Sequence, residues 1–213
     1  MNTDHLVRMI STNVEAVTYR EPKRMVLISA GLGAVTALVA MLLFLGVRTD
    51  LAEPRAWLFV VVKSAFAGAI IGMSLANLTR IVRPGGERRV SIALGLLPFG
   101  GALIVATTSL VMTPLSDWKV MIVGEDWLLC LLCIPLNAIV PFAAIIWAMR
   151  QFAPTNLMLA GAMAGRAAGG ISAFMYSLHC TDDSFPFIAV WYSLTIALCA
   201  VLGAVVGQRL LRW

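Results

Sequence analysis

The sequence predicts an all-α membrane protein, a six-transmembrane-helix bundle with both termini cytoplasmic, and three observations carry that expectation. Of the 213 residues, 60% are hydrophobic and only 13% are charged, whereas charged residues make up about a quarter of a soluble domain. Six apolar runs each approach the roughly 20 residues that cross a bilayer core. The basic residues between those runs fall mostly on alternate connections, as expected for a chain sorted by the positive-inside rule. Spans and short loops use nearly the whole length. The chain therefore divides into a cytoplasmic amphipathic segment, 1–24, and a transmembrane domain, 25–213.

The first 24 residues include Asp4, Arg8, Glu15, Arg20, Glu21, Lys23 and Arg24, too polar for a secretory signal, and are expected to stay in the mature protein. Thr3 or Asp4 suits the cap of a helix presenting Leu6, Met9, Ile10, Val14 and Val17 along one face. Such a face fits an anionic membrane surface, with its basic residues on the headgroups, or the groove of a partner protein. The spans follow at Met25 to Val47, Trp57 to Leu78, Ser91 to Met112, Trp127 to Met149, Leu157 to Leu178 and Phe187 to Gly207. Helix-ending residues such as Pro54, Pro84, Gly85, Gly86, Pro114, Pro154 and Pro186 separate them.

Orientation comes from the basic residues. The N-terminal segment, the second and fourth loops and the tail hold Arg8, Arg20, Lys23, Arg24, Arg80, Arg83, Arg88, Arg89, Arg150, Arg209 and Arg212. The other loops hold only Arg48, Arg55 and Lys119. The excess places both ends inside. The net charge of +5 thus sits beside the spans and points to a lipid surface, with no direct nucleic-acid partner.

Small residues recur four apart at Gly68 and Gly72, at Gly161, Gly165 and Gly169, and at Gly203 and Gly207. They read as ridges that let helices approach closely where hydrophobic burial cannot drive association. Two charges fall within spans. Lys63, less than two turns from the outer end of its helix, is expected to snorkel. Arg166 lies near the midplane without an intramembrane acid, which argues against a proton-coupled pump.

Cys130 falls near the outer end of the fourth span, Cys133 one turn deeper and Cys180 in the outer loop before the sixth, so three thiols meet the oxidising side. Cys130 and Cys180 are the favoured pair. Cys130 and Cys133 have C-x-x-C spacing but occupy neighbouring turns of one helix and need not bond each other. His179, Cys180, Asp182 and Asp183 place imidazole, thiol and carboxylates in one loop, a set that soft or borderline metals favour; the plain alternative is a solvated polar turn. Cys199 reads as a small packing residue.

Five segments resemble one known family: C-L-L-C-I-P-L from Cys130, W-A-M-R-Q-F-A-P-T from Trp147, Y-S-L-H-C-T-D-D-S from Tyr176, W-Y at Trp191 and the terminal L-R-W. They are similar to the NrsF-type anti-sigma factors, six-helix proteins of the bacterial inner membrane, and the start M-N-T-D-H-L resembles that family too. The resemblance implies a non-enzymatic protein that restrains an extracytoplasmic-function sigma factor through the N-terminal helix, with possible help from the Arg80 to Arg89 loop. It further implies a response to oxidative or heavy-metal stress through Cys130 and Cys180, with His179 beside them as a possible metal ligand. Cys133 falls where the family commonly has another residue, so the resemblance carries no role to it. No resident cofactor is expected, only a transient metal at the periplasmic cysteines. Two rival readings are a transporter for a metal or small solute, suggested by Arg166 and the glycine-rich helices, and a membrane thiol oxidoreductase built on Cys130, Cys133 and Cys180.

Overall fold

The structure, a computed structural model, describes residues 21–82, 90–152 and 154–212, together with Thr3, Val7, Met9 and Gly86. Of the expected partner-binding face, Met9 is helical and exposed, whereas Leu6, Ile10, Val14 and Val17 lie outside the described residues.

Helix α1 runs Glu21–Phe44, and Gly46 closes it with φ 76°, its N–H donating to the Met41 carbonyl at 3.0 Å. Only glycine takes that left-handed geometry without strain. Helix α2, Pro54–Ile81, starts on a proline whose missing N–H would be unpaired there in any case. Helix α3, Ile92–Val111, is capped by the Ser91 hydroxyl accepting from the Leu94 N–H at 3.3 Å. A short helix α4, Trp118–Val123, follows where the sequence suggests only a loop.

The fourth apolar run departs from expectation. It is two helices, α5 Trp127–Asn137 and α6 Ile139–Arg150, broken at Ala138. Pro135 and Pro141 each remove a helical N–H donor within two turns, and the Asn137 side chain turns to the Ala37 carbonyl of α1 at 3.2 Å. Helix α7, Leu157–Tyr176, is capped by Asn156. Helix α8 covers Phe185–Leu210 and contains a π-helical stretch, Ile188–Tyr192. Six helical stretches, with α4 to α6 counted as one, are long and apolar enough to cross a membrane, and no strand occurs among the described residues.

Helix α7 is the axis of the bundle. Its apolar window is 72% buried, against 11% for α3 at the periphery. That burial is possible because α7 is built of Ala and Gly. A Cβ on Gly161 would strike the Gly203 carbonyl, and one on Gly165 the Cys199 carbonyl. The expectation that these glycines pack helix on helix therefore holds for α7 and α8. It fails for Gly68 and Gly72: the first has only Phe174 near, at 3.9 Å, and the second meets nothing. Two main buried clusters fill the bundle. One, with Val26, Leu78, Met149 and Leu211, lies at the end carrying the α1 N-terminus. The other, with Phe59, Cys130, Tyr176, Cys180 and Tyr192, lies at the opposite end. Outward-facing Leu32, Leu43, Leu97, Ile104, Trp147 and Val201 make an apolar exterior, the surface that lipid solvates and water does not.

The seam predicts a contrast. Gly165→Leu overpacks α7 against α8 and lowers stability by about 1–3 kcal/mol or more, whereas Gly72→Ala is near neutral; thermal unfolding of both variants in detergent measures the difference.

Candidate functional site

The site gathers at the end of the bundle where three connections meet: 45–53 after α1, 124–126 before α5 and 177–184 between α7 and α8. Cys130 is the fourth residue of α5 and Cys180 follows the last turn of α7, its N–H on the Tyr176 carbonyl at 3.0 Å. Fifty positions apart in sequence, both are 0% exposed and pack in the same apolar cluster. All four cysteines are free thiols. Cys133 is half-buried at the edge of that cluster and faces a separate cleft of about 440 Å³ between α1 and the α5–α6 break. Cys199 packs against Gly169 between α7 and α8, as expected of a small core residue.

Two tyrosines line the same cluster. Tyr176 and Tyr192 have ring centroids 6.3 Å apart, and both hydroxyls are buried without a hydrogen-bond partner among the described residues. Tyr192 ends the π-helical stretch, a distortion that often marks functional sites. Trp191, in the same stretch, donates to the Ile122 carbonyl at 2.8 Å, and Ser184 donates to the Met121 carbonyl at 2.6 Å. Helix α4 is thereby tied across the start of α8.

Beside the cysteines sits a buried ionic clasp. Arg48 Nη1 donates to the Cys180 carbonyl at 3.0 Å and to Asp183 Oδ1 at 2.9 Å, and its Nη2 to Asp183 Oδ2 at 2.8 Å. Arg48 Nε and Nη2 also grip Asp50 at 2.6 and 2.7 Å. Lys63 Nζ reaches the same Cys180 carbonyl at 2.9 Å and Asp183 Oδ1 at 3.1 Å. Lys63 is thus fully buried and does not snorkel; an acid and a carbonyl from the 177–184 loop meet it inside the protein. Hydrogen bonds to Asp50 and then Asp183 raise the Arg48 guanidinium further above its usual range, while Arg48 holds the Asp50 carboxyl below its own.

A second set of carboxylates faces Cys180. Asp182 accepts from the Glu125 N–H at 3.0 Å and the Asp126 N–H at 2.7 Å. Gly124, at φ 64°, permits this approach, since a Cβ there would meet the Asp182 carboxylate at 2.6 Å. Asp126 in turn accepts from Thr181 Oγ1 at 3.0 Å. The ligand atoms of Asp126, Cys180 and Asp182 all lie within 4.8 Å of one another, a thiol and two carboxylates that fit a divalent metal of borderline softness. Binding requires loss of the thiol proton. Burial pushes the Cys180 thiol up, with the Lys63 charge opposing.

Neither His179 nor Cys130 belongs to that threesome. The His179 Nδ1 pairs with the Gly46 carbonyl at 3.1 Å and its ring lies 5.7 Å from that of Tyr176. Sequence reasoning singled out the cysteines but missed Arg48, Asp50, Lys63 and Asp183 as one unit, and Asp126 as a neighbour of Cys180. The available signal was the coincidence of rare basic residues with acids on one set of loops.

Two outcomes are expected here. Asp183→Ala leaves Arg48 and Lys63 buried without their shared acid and costs about 3–5 kcal/mol, measured by chemical or thermal unfolding, while Asp50→Ala costs less because Asp183 remains. Cys180 alkylates more slowly than a free cysteine at neutral pH and accelerates as pH rises past the usual thiol range, since the thiolate is the nucleophile. Site-resolved mass spectrometry reads that profile, and rapid labelling at neutral pH would contradict it.

Residues 10–213 match the family described as negative regulator of sigma F. The chain is 34% identical to a probable anti-sigma-F factor NrsF of Azospira oryzae and 32% identical to an anti-sigma-F factor NrsF of Caulobacter vibrioides, each over 218 positions covering 100% of both chains. No solved structure matches it.

Proposed function

As the chain belongs to the negative regulator of sigma F (NrsF) family, we propose that it is a membrane-bound anti-sigma factor that sequesters an extracytoplasmic-function sigma factor at the bacterial inner membrane. The stimulus for release is oxidative or heavy-metal stress received at the periplasmic cysteines. Six long apolar helices and an apolar exterior support membrane insertion. The excess of Lys and Arg on the connections at one end supports cytoplasmic termini. Residues 1–24 then lie on the sigma factor's side, with Leu6, Met9, Ile10, Val14 and Val17 as its contact face.

The observation that carries the sensing step is the convergence of Cys130 and Cys180 in one buried cluster at the end opposite the start of α1. Oxidation would join the two sulfurs, with two protons and two electrons leaving to the oxidant. A thiophilic metal would instead take Cys180 as thiolate, with the nearby carboxylates Asp126 and Asp182 as further donors; Cys130 and His179, outside that group, would have to move to join it. Either event changes packing in the buried cluster and thereby favours a second arrangement of the bundle. No catalytic step is required.

Moving the partner from 1% to 99% free needs about 5.5 kcal/mol of differential affinity between the two arrangements. Pull-down from membranes tests the reading: the intact chain retains a sigma factor, and removal of residues 1–24 abolishes retention. Recovery of no sigma factor with either form would sink the proposal. Cys130→Ser and Cys180→Ser each remove the response to metal or oxidant while leaving retention intact, and a response surviving both changes would exclude these thiols as receptors.

A further inference from the structure

Three cations are buried among the described residues, Arg48, Lys63 and Arg166. The first two share Asp183. Arg166 has no carboxylate beside it among the described residues. It is the tenth residue of α7 and 7% exposed. Its Nε donates to Ser74 Oγ of α2 at 2.8 Å and its Nη1 to the Gly95 carbonyl of α3 at 3.3 Å. Nη2 is buried with no partner among the described residues. One turn from Ser74, the buried Asn77 amide donates to the Met163 sulfur at 4.0 Å.

Among the described residues the cation has two neutral acceptors and no negative charge. Gly95 lies about 6 Å into α3 from its N-cap, and a Cβ there would meet Arg166 Nη1 at 2.5 Å. The guanidinium therefore rests on bare backbone at the helix end where the macrodipole is positive. A buried guanidinium with an idle donor is destabilising unless an anion compensates it. An oxygen anion reaching this point meets Nη2 and the start of α3; the Ser74 hydroxyl is not a donor to it, since it accepts from Arg166 and donates to the Ile70 carbonyl at 2.6 Å. Nη2 is closed off from solvent, and α3, the least buried of the long helices, is the wall that an entering headgroup would displace; the first turns of α3 put the set within a side chain's reach of the bundle's end.

We propose that Arg166, its guanidinium held in place by Ser74, and the N-terminal turn of α3 form a binding site for a phosphate group, that of a phospholipid headgroup drawn in beside α3. The site is independent of the cysteines. It makes α3, which shares little buried surface with the bundle, a helix whose seating depends on the lipid. The same chemistry also admits free inorganic phosphate, so the test separates the two sources.

Protein purified in a maltoside detergent is titrated with phosphatidylglycerol, with diacylglycerol as a tail-only control, and with inorganic phosphate. Bound lipid is counted by native mass spectrometry and stabilisation by thermal unfolding. The wild-type chain binds and is stabilised by phosphatidylglycerol and ignores diacylglycerol, and Arg166→Gln weakens the phosphatidylglycerol effect about tenfold or more, as loss of a charged hydrogen bond requires. The other basic residues attract lipid equally in both forms and cancel in the comparison. Stabilisation of the wild type, but not of Arg166→Gln, by inorganic phosphate alone assigns the site to a free anion. Equal phosphatidylglycerol binding by wild type and Arg166→Gln overturns the proposal. Should Arg166→Gln fail to fold, Gly95→Ala, whose new methyl displaces the guanidinium, takes its place, and undiminished binding by that variant overturns the proposal equally.

Discussion

The Cys180 end of the molecule depends on one carboxylate. Asp183 is the anion shared by two cations that are almost wholly removed from solvent, Arg48 at 1% and Lys63 at 0% side-chain exposure. Desolvating either cation costs several kcal/mol, and only a close acid with good geometry offsets it. With Asp50 the four groups sum to zero formal charge. Both cations also donate to the Cys180 carbonyl, so the ion cluster fixes a backbone position as well as balancing charge. A loop without regular structure thereby holds its cysteine in a defined place.

The glycine seam supplies the complementary constraint. Helix α7 presents Gly161, Gly165 and Gly169 where it meets α8, because backbone contact with Gly203 and Gly207 leaves no volume for larger side chains. Close packing of this kind substitutes in lipid for the hydrophobic drive that acts in water. A helix so held delivers its last residue, Tyr176, to a fixed point, and Cys180 lies four residues on with its N–H bonded back to that helix. The seam and the clasp thus locate the same thiol from two directions.

How far this was legible in the sequence differs by the kind of interaction. Helices α1, α2, α3, α7 and α8 follow from uninterrupted apolar runs bounded by Pro, Gly and capping residues. The break at Ala138 was masked by continuous hydropathy, although Pro135 and Pro141 are the residues that make it. Gly161, Gly165, Gly203 and Gly207 and the unpacked Gly68 and Gly72 share one spacing, and only three-dimensional neighbours distinguish them. Lys63 was misread because depth along a helix does not reveal whether an acid from a distant loop waits there. Cys130 and Cys180 stood out as rare residues on one side of the chain. Their tyrosine neighbours and the Asp126–Asp182 pair did not, since contacts across 50 or more positions leave no local periodicity.

The two cysteines are held unequally, and this gives the proposed switch a direction. Cys180 is anchored by two buried cations, whereas Cys130 rides on α5, eleven residues long and broken from α6 at Ala138. A bond or metal bridge drawing the thiols together would displace the less constrained member, so strain passes into α5. At the far end of α5, Asn137 is bonded to the Ala37 carbonyl of α1, and α1 leads back to the N-terminal segment proposed to hold the sigma factor. The Ala138 break separates α5 from α6, which is packed on α1 through the Gly33–Pro141 contact. Contiguity alone does not establish coupling. What makes α5 suited to it is a mechanical asymmetry: one end meets a fixed thiol, the other a hinge.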